Sequence, residues 1–202
     1  MVNDNQEALE LDFLAEVTDK GLEKAQERLA EFLGQKVKLQ PAKVLLISKQ
    51  ELGESLGVGD FERRGINLGF SGTYNGQAYL MFADGDVEKI SKHMSGESAD
   101  TEEWEHIKQD VINELGNVVL NGIVGTMSNL VSGKLDFKVP AHVKGTAEKF
   151  LQENFSEKTE VCFAGLGLFQ LEQLQVDGLI CFYFYFSSLD MLLTSITQMK
   201  KS

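Results

Sequence analysis

The sequence predicts an α+β fold in which two long helices pack on a mostly antiparallel sheet with pseudo-twofold symmetry. Three observations predict this fold. Two long helical patterns, at residues 8–33 and from about residue 101, are each followed by strand-like segments, and hairpin signals join those strands. The whole plan occurs twice, with an offset of about a hundred residues. Because each αβ unit buries one face of its sheet under its helix, we expect a single domain over 1–202 with halves at about 8–97 and 101–200.

The first half begins with the helical pattern at 8–33, in which apolar residues recur every three or four positions. Gly34 follows the pattern, where a left-handed helix cap is expected. The dipeptide Asn75-Gly76 is a strong hairpin signal and predicts a tight turn. The other predicted elements of this half are a long strand at 35–48, a loop with a short amphipathic helix at 49–65, hairpin strands at 66–74 and 77–83, and a helix from about 86 to 94.

The second half repeats these elements after a polar linker at 95–103. Its long helical pattern ends at Gly133, as the first ends at Gly34. The other counterparts are a long strand at 134–143, the turn signal Asp177-Gly178, a strand at 179–185, and a terminal helix at 188–200.

The chain holds only two prolines, and both fall at one equivalent place in the repeat. Pro41 follows Gly34, and Pro140 follows Gly133, with six residues between in each case. Because proline cannot donate to a strand ladder, we expect each one to mark a bulge or an edge position of a long strand.

Composition excludes several classes of function. The 202 residues are 43% hydrophobic, which is ample for a buried core, and the formal net charge is −12. Nucleic acid and anionic membranes are therefore poor partners. The start of the sequence is acidic, which does not predict a signal peptide, and no run is apolar enough to span a bilayer. Two cysteines make no disulfide framework, so we expect a cytoplasmic protein.

Motifs for catalysis by this chain alone are missing from the sequence. The glycine pairs at 57–59 and 165–167 lack the remaining glycines of a phosphate loop. The three histidines are far apart, at His93, His106 and His142, without cysteine or carboxylate at ligand spacing. We therefore expect neither a metal site nor a cofactor of the chain's own.

The candidate functional feature of the sequence is a polar stripe on the second long helix. Asp110, Glu114, Asn117 and Asn121 follow the spacing i, i+4, i+7, i+11, which places them on one face of an otherwise apolar helix. The first long helix carries the same spacing at Asp12, Glu16, Asp19 and Glu23. The plain alternative for both stripes is a solvent-exposed face of an amphipathic helix.

The pattern Asp110-x3-Glu114-x2-Asn117-x22-Pro140 resembles the signature of the CheC/CheX/FliY family of chemotaxis phosphatases. The two-half layout is most similar to CheC, which carries two such motifs, so the resemblance implies a CheC-like domain. The first copy, with Asp12, Glu16 and Asp19, departs from the signature. It has aspartate in place of asparagine, and Pro41 lies one residue too close.

The resemblance implies a phosphatase that hydrolyses the aspartyl phosphate of a response-regulator receiver domain of the CheY-P type. Asn117 would position the attacking water, Glu114 would dock to the receiver's active-site lysine, and Asp110 would support them. Mg²⁺ would belong to the partner receiver. An ionised Asp19 cannot donate hydrogen bonds and would repel a phosphoryl group, so we expect the first copy to be inactive.

One alternative stays open. The chain could be a non-catalytic regulatory module of a chemotaxis or two-component system that docks a receiver or a CheD-like protein without turnover. The second motif, which is complete, favours the enzyme.

Overall fold

The computed structural model describes residues 4–40, 43–48, 51, 62–72, 75–96, 103–130, 135–146 and 161–185. The helices in these ranges are α1 (Asp4–Leu33), α2 (Asp84–Ser95) and α3 (Trp104–Leu130). The strands are β1 (Lys38–Leu39), β2 (Lys43–Ser48), β3 (Arg63–Gly72), β4 (Gly76–Ala83), β5 (Leu135–Phe137), β6 (Ala141–Gly145), β7 (Val161–Leu171) and β8 (Val176–Tyr185). None of the helices within these ranges is long and apolar enough to cross a membrane.

The eight strands form one antiparallel sheet whose order is symmetric between the halves. The order is β1-β7-β8-β4-β3-β5, with β2 also paired to β7 and β6 also paired to β3. Exchanging the strands of the first half with those of the second gives the same order read backwards. The symmetry point lies between β4 and β8, where Tyr79 is opposite Cys181. The predicted α+β fold is therefore confirmed, whereas the single domain over 1–202 includes residues outside the described ranges and stays a prediction.

Both long helices cover the same face of the sheet and contact each other closely. A Cβ atom on Gly21 of α1 would lie 2.9 Å from the Cα of Ile123, and one on Gly122 of α3 would lie 3.0 Å from the Cβ of Ala25. The absence of side chains at these two glycines lets the helix backbones approach. Beneath them the core continues into the sheet through fully buried side chains such as Leu29, Ile66, Leu80, Phe82, Phe169 and Ile180.

The strand that contains Pro140 is broken by a β-bulge. Phe137 lies opposite Phe70, the amide of Lys138 donates to the carbonyl of Gly69 at 2.9 Å, and Ala141 lies opposite Asn67. Val139 and Pro140 therefore share the single partner position of Leu68, on an edge strand. The predicted role of Pro140 is confirmed, and the prediction of one continuous strand at 134–143 is wrong for the same reason.

The first half shows the same shift of register along β7. Leu39 of β1 lies opposite Phe169, and Lys43 of β2 lies opposite Leu166. The predicted strand at 35–48 is therefore two strands. Pro41 itself lies outside the described residues.

The predicted pairing of the strands at 66–74 and 77–83 is confirmed by β3 and β4, but the two predicted turn positions are wrong. Gly76 and Gly178 lie inside strands, opposite Phe70 and Phe169, and the β7–β8 turn is made by Glu172–Leu174 and Gln175, whose φ is +50°. A Cβ on Gly76 would lie 2.4 Å from the Phe70 ring, and one on Gly178 would lie 2.4 Å from the Phe82 ring. These glycines are required by packing rather than by a turn.

Other boundaries move by a few residues. Helices α1 and α2 begin at Asp4 and Asp84, somewhat before the predicted starts, and α3 begins at Trp104 as expected. Strand β3 begins at Arg63, inside the predicted loop at 49–65. The short helix predicted in that loop falls almost wholly outside the described residues, and the terminal helix at 188–200 lies outside them.

Candidate functional site

The polar stripe of α3 lies at the surface of the helical layer. Asp110, Glu114 and Asn121 are exposed and Asn117 is half-buried, while Leu115 on the opposite side of the helix is fully buried. Across the described ranges, no hydrogen bond or ion pair engages the side chains of Glu114 or Asn117. An acidic and an amide side chain one turn apart are thus presented to solvent, available to a partner.

The helix that carries this pair is fixed to the sheet at Gly116. A Cβ atom there would lie 2.0 Å from Cγ2 of Ile66, a fully buried residue of β3. The backbone of α3 between Glu114 and Asn117 therefore rests directly on β3. Protein interiors are close-packed and hardly compressible. This contact therefore sets the height of both side chains above the sheet.

An ion-pair network holds the beginning of α3. The guanidinium of Arg64 on β3 contacts Asp84 of α2 at 2.8 Å and Glu105 of α3 at 2.6 Å, and Lys108 also pairs with Glu105. The hydrogen bond from Lys108, followed by that from Arg64, lowers the pKa of Glu105 to about 2. The network therefore joins α2 and α3 to β3, about one turn before the stripe of α3 begins.

This network predicts a pH-dependent contribution to stability. The pKa of Glu105 is lower in the folded chain than in the unfolded chain, so its stabilisation is present above about pH 4.5 and is lost as the pH falls towards 2. Because Glu105 is more than half exposed, we expect Glu105→Gln to lower the free energy of unfolding at pH 7 by only about 1 kcal/mol.

Urea denaturation of the parent and the variant at several pH values measures this difference. It should shrink to a few tenths of a kcal/mol by about pH 2, where the carboxylate is protonated in the unfolded chain and about half protonated in the folded chain. Glu103→Gln, just before the helix, is the matched control and should change little. A Glu105→Gln deficit of constant size from pH 7 to pH 2 would contradict the assignment.

Asp110, the first residue of the stripe, borders the β6 edge of the sheet. His142 on β6 lies opposite Ile66, and its imidazole is within electrostatic reach of the Asp110 carboxylate. Partial burial lowers the pKa of His142, the charge of Arg64 lowers it further, and Asp110 opposes both. This electrostatic interaction relates Asp110 to the β6 edge of the sheet, and the supporting role of Asp110 stays a prediction.

The first copy of the stripe has the same exposure pattern on α1. Asp19 is half-buried, and the other three residues, Asp12, Glu16 and Glu23, are exposed. Each has the same exposure class as its counterpart 98 positions later on α3. The carboxylate of Glu16, however, is bound by Lys20 at 2.6 Å, and this contact lowers the pKa of Glu16. Asp19 also has an interaction partner.

A second difference between the copies was missed by sequence reasoning. The position equivalent to Lys20 is Val118 on α3, so Glu114 has no cation one turn further on. Besides Glu23 against Asn121 at the end of the stripes, the two copies thus differ at Asp19 against Asn117 and at Lys20 against Val118. Aligning the stripes one residue beyond the motif would have revealed the second difference.

Two cavities accompany the stripes. A groove of about 190 Å³ between α1 and α3 includes Asn121, and a cavity of about 280 Å³ lies beside Asp19, Glu23 and Leu39. Within the ranges that the structure covers, no group of three or more histidine, cysteine or acidic side chains could hold a metal ion.

The sequence is similar to those of known chemotaxis proteins. Residues 65–163 match the family model described as chemotaxis phosphatase CheX. A protein of Halobacterium salinarum named "Putative CheY-P phosphatase CheC1" is 19% identical over 134 residues, which cover 66% of this chain and 68% of that protein.

Solved structures show the same fold. FliY from Thermotoga maritima has a TM-score of 0.68 at 15% identity, covering 94% of this chain and 96% of that chain. CheX from Borrelia burgdorferi, solved as a CheX-CheY-BeF3-Mg complex, has a TM-score of 0.57 at 15% identity, with 83% and 96% covered. A FliG-FliM complex from H. pylori has a TM-score of 0.65 at 11% identity, with 92% and 97% covered. About half of the chain thus matches the CheX family model, and its fold is the one seen in FliY and CheX.

Proposed function

We propose that this chain is a phosphatase that hydrolyses the aspartyl phosphate of a CheY-type receiver domain. The observation that carries the proposal is the pair Glu114 and Asn117, presented one turn apart on a helix whose backbone rests on the sheet at Gly116. The family match and the CheY-P phosphatase similar to this chain support it.

Asn117 is the residue to which we assign the reaction. Hydrolysis of an aspartyl phosphate requires a water held in line with the bond that breaks, and most of the acceleration comes from positioning and electrostatics. A carboxamide can accept a hydrogen bond from that water and donate another to a phosphoryl oxygen. It carries no charge that would repel the phosphoryl group.

Glu114 has a docking role in this proposal. Its carboxylate is exposed and, unlike Glu16, has no lysine one turn away to neutralise it. It can therefore form a charge-assisted hydrogen bond with a lysine of the receiver. Such a contact fixes the distance between Asn117 and the phosphorylated aspartate, because the two side chains lie on the same helix face.

The remaining parts of the reaction come from the partner. The receiver supplies the phosphorylated aspartate and the Mg²⁺ that neutralises the phosphoryl oxygens. The Borrelia burgdorferi structure, in which CheX is complexed with CheY, BeF3 and Mg, supports this division of labour.

The first copy is inactive in this proposal. Asp19 places a carboxylate where Asn117 has an amide, and Glu16 is already bound to Lys20 at 2.6 Å. Both differences act against a phosphorylated partner: the first by repulsion and the second by removing the docking carboxylate. The chain thus has one working site, on α3.

A dephosphorylation assay tests the proposal. CheY-type receivers encoded by the same genome are phosphorylated, and loss of the phosphoryl group is followed with and without this chain. We expect the chain to accelerate the loss, and we expect Glu114→Ala to raise KM for the receiver by about tenfold. Glu16→Ala, the same change at the equivalent position of α1, should leave the rate unchanged. If no receiver is dephosphorylated faster, the proposed activity is wrong.

A binding module without turnover is the second candidate, and one observation favours it. The FliM chain of the FliG-FliM complex resembles this fold almost as closely as FliY does. In this case the helical face would dock a receiver or a CheD-like protein. If a receiver binds this chain tightly and keeps its phosphoryl group, the chain is a binding module and not a phosphatase.

A further inference from the structure

A cationic groove lies between the two long helices and adjoins the stripe of α3. Its volume is about 190 Å³. One wall comes from α1 and the other from α3, and the lining residues are Lys24, Ala25, Arg28, Val118, Asn121, Gly122, Gly125 and Thr126. The function proposed above uses none of the α1 residues.

Small residues keep the groove open. Gly122 is needed where it is, because its Cβ would lie 3.0 Å from the Cβ of Ala25 at the helix contact. Gly125 is different, since none of the residues that the structure describes would lie within 4 Å of a Cβ there. A glycine inside a helix lowers stability by about 1 kcal/mol relative to alanine. At Gly125 this loss is not offset by close packing against a described residue. The residue leaves space that the chain does not itself fill.

Two positive charges line this space. Lys24 and Arg28 are exposed and one turn apart on α1, and among the described residues neither takes part in an ion pair. Like charges at this spacing repel by a few tenths of a kcal/mol. The pair persists in a chain with a formal net charge of −12, in which the neighbouring Lys20 is paired with Glu16. An anionic group in the groove would satisfy both side chains.

Asn121 joins the groove to the catalytic face. It is the fourth residue of the stripe, one turn beyond Asn117, and it also lines the groove. A partner that presents its phosphorylated residue to Asn117 is therefore adjacent to the groove that Lys24 and Arg28 line. Because the guanidinium of an arginine offers parallel donors, Arg28 is suited to a carboxylate from that partner.

We infer that this groove binds a carboxylate-bearing segment of the receiver while Glu114 and Asn117 engage the phosphorylated site. The inference rests on the proposed function for the identity of the partner. It adds that α1, whose own stripe is inactive, contributes to recognition through Lys24 and Arg28. In an acidic chain these cations supply local attraction where the rest of the surface repels an acidic partner.

Charge reversal tests the inference. Binding of a CheY-type receiver loaded with beryllium fluoride and Mg²⁺ is measured by titration calorimetry, and turnover of the phosphorylated receiver is measured in parallel. We expect Lys24→Glu/Arg28→Glu to raise Kd and KM at least tenfold and to leave kcat unchanged. Lys36→Glu/Lys43→Glu makes the same change in net charge at exposed positions away from the groove. That control should stay within about twofold of the parent.

A second variant separates the groove from the net charge. Gly125→Leu fills the open space and favours the helix, so we expect folding to persist and receiver binding to weaken about tenfold. The inference is overturned if both variants bind the receiver as tightly as the parent, or if the Lys36/Lys43 control weakens binding equally. If the parent binds the receiver through the groove but does not dephosphorylate it, the proposed phosphatase activity is wrong and the proposed binding by the groove still holds.

Discussion

Replacing Asn117 with aspartate is expected to slow dephosphorylation of the receiver by about 100-fold or more, because a single exchange of an amide for a carboxylate removes both properties that the reaction uses. The carboxylate cannot donate a hydrogen bond to a phosphoryl oxygen. It also brings a negative charge towards a group that is already dianionic. Since Asn117 is half-buried on the helix surface, the exchange should leave the fold intact.

The measurement is single-turnover loss of phosphate from the receiver, with circular dichroism to verify folding. The expected result is a fall in kcat without a comparable change in KM, since we assign docking to Glu114. Equal activity of Asn117→Asp and the parent would show that the water is positioned by another residue.

The converse experiment uses the first copy, which we propose to be inactive. In an Asn117→Ala background, Asp19→Asn/Lys20→Val gives α1 the α3 residues at the two positions to which we assign that inactivity. We expect this variant to recover measurable activity, and Asp19→Asn alone to recover less, because Lys20 would still hold Glu16. Recovery by Asp19→Asn alone to the same level would contradict the role given to Lys20.

The largest effect on stability is expected at Gly116. Gly116→Ala would improve helix propensity by about 1 kcal/mol, yet its Cβ would lie 2.0 Å from Cγ2 of Ile66. Ile66 is fully buried and cannot move aside, so overpacking should dominate and lower the free energy of unfolding by about 1–3 kcal/mol. Turnover should fall as well, because α3 must shift to accommodate the methyl group.

A double-mutant cycle with Ile66→Ala identifies the cause. Ile66→Ala alone should cost about 2–5 kcal/mol by leaving a cavity. In that background Gly116→Ala should be neutral or stabilising, because the clash is gone and the propensity gain remains. Gly125→Ala is the control, since no described residue would lie within 4 Å of its Cβ, and it should stabilise the parent. Additive effects in the cycle would exclude Ile66 as the obstacle.

The fold was largely predictable because its main signals are local or repeated. Helical periodicity located α1 and α3, and the repeated prolines located the edge bulge at Pro140. The turns predicted at Gly76 and Gly178 are wrong, because these glycines are strand residues that pack closely against the rings of Phe70 and Phe82. A local signal cannot distinguish a turn glycine from a glycine needed for close approach.

The candidate site was predictable only in part, for a related reason. The stripe of α3 depends only on the spacing of residues along one helix, and this spacing can be read from the sequence. The Arg64 network, the support of Gly116 by Ile66 and the groove between Lys24 and Gly125 arise from contacts between elements distant in the chain. Such contacts require the sheet order, which the sequence pattern did not supply.

The reversed strand order has a consequence for how the two stripes could diverge. Each half gives its first two strands to the outer edge of the other half's sheet, so neither half completes a sheet by itself. Two separate half-chains could build this architecture only as an interlocked homodimer, in which every substitution would appear twice. Once both halves are joined in one polypeptide, a substitution changes one stripe alone. Asp19 and Lys20 could then arise on α1 while Asn117 stayed on α3, which would leave α1 available for the recognition role that we propose for it.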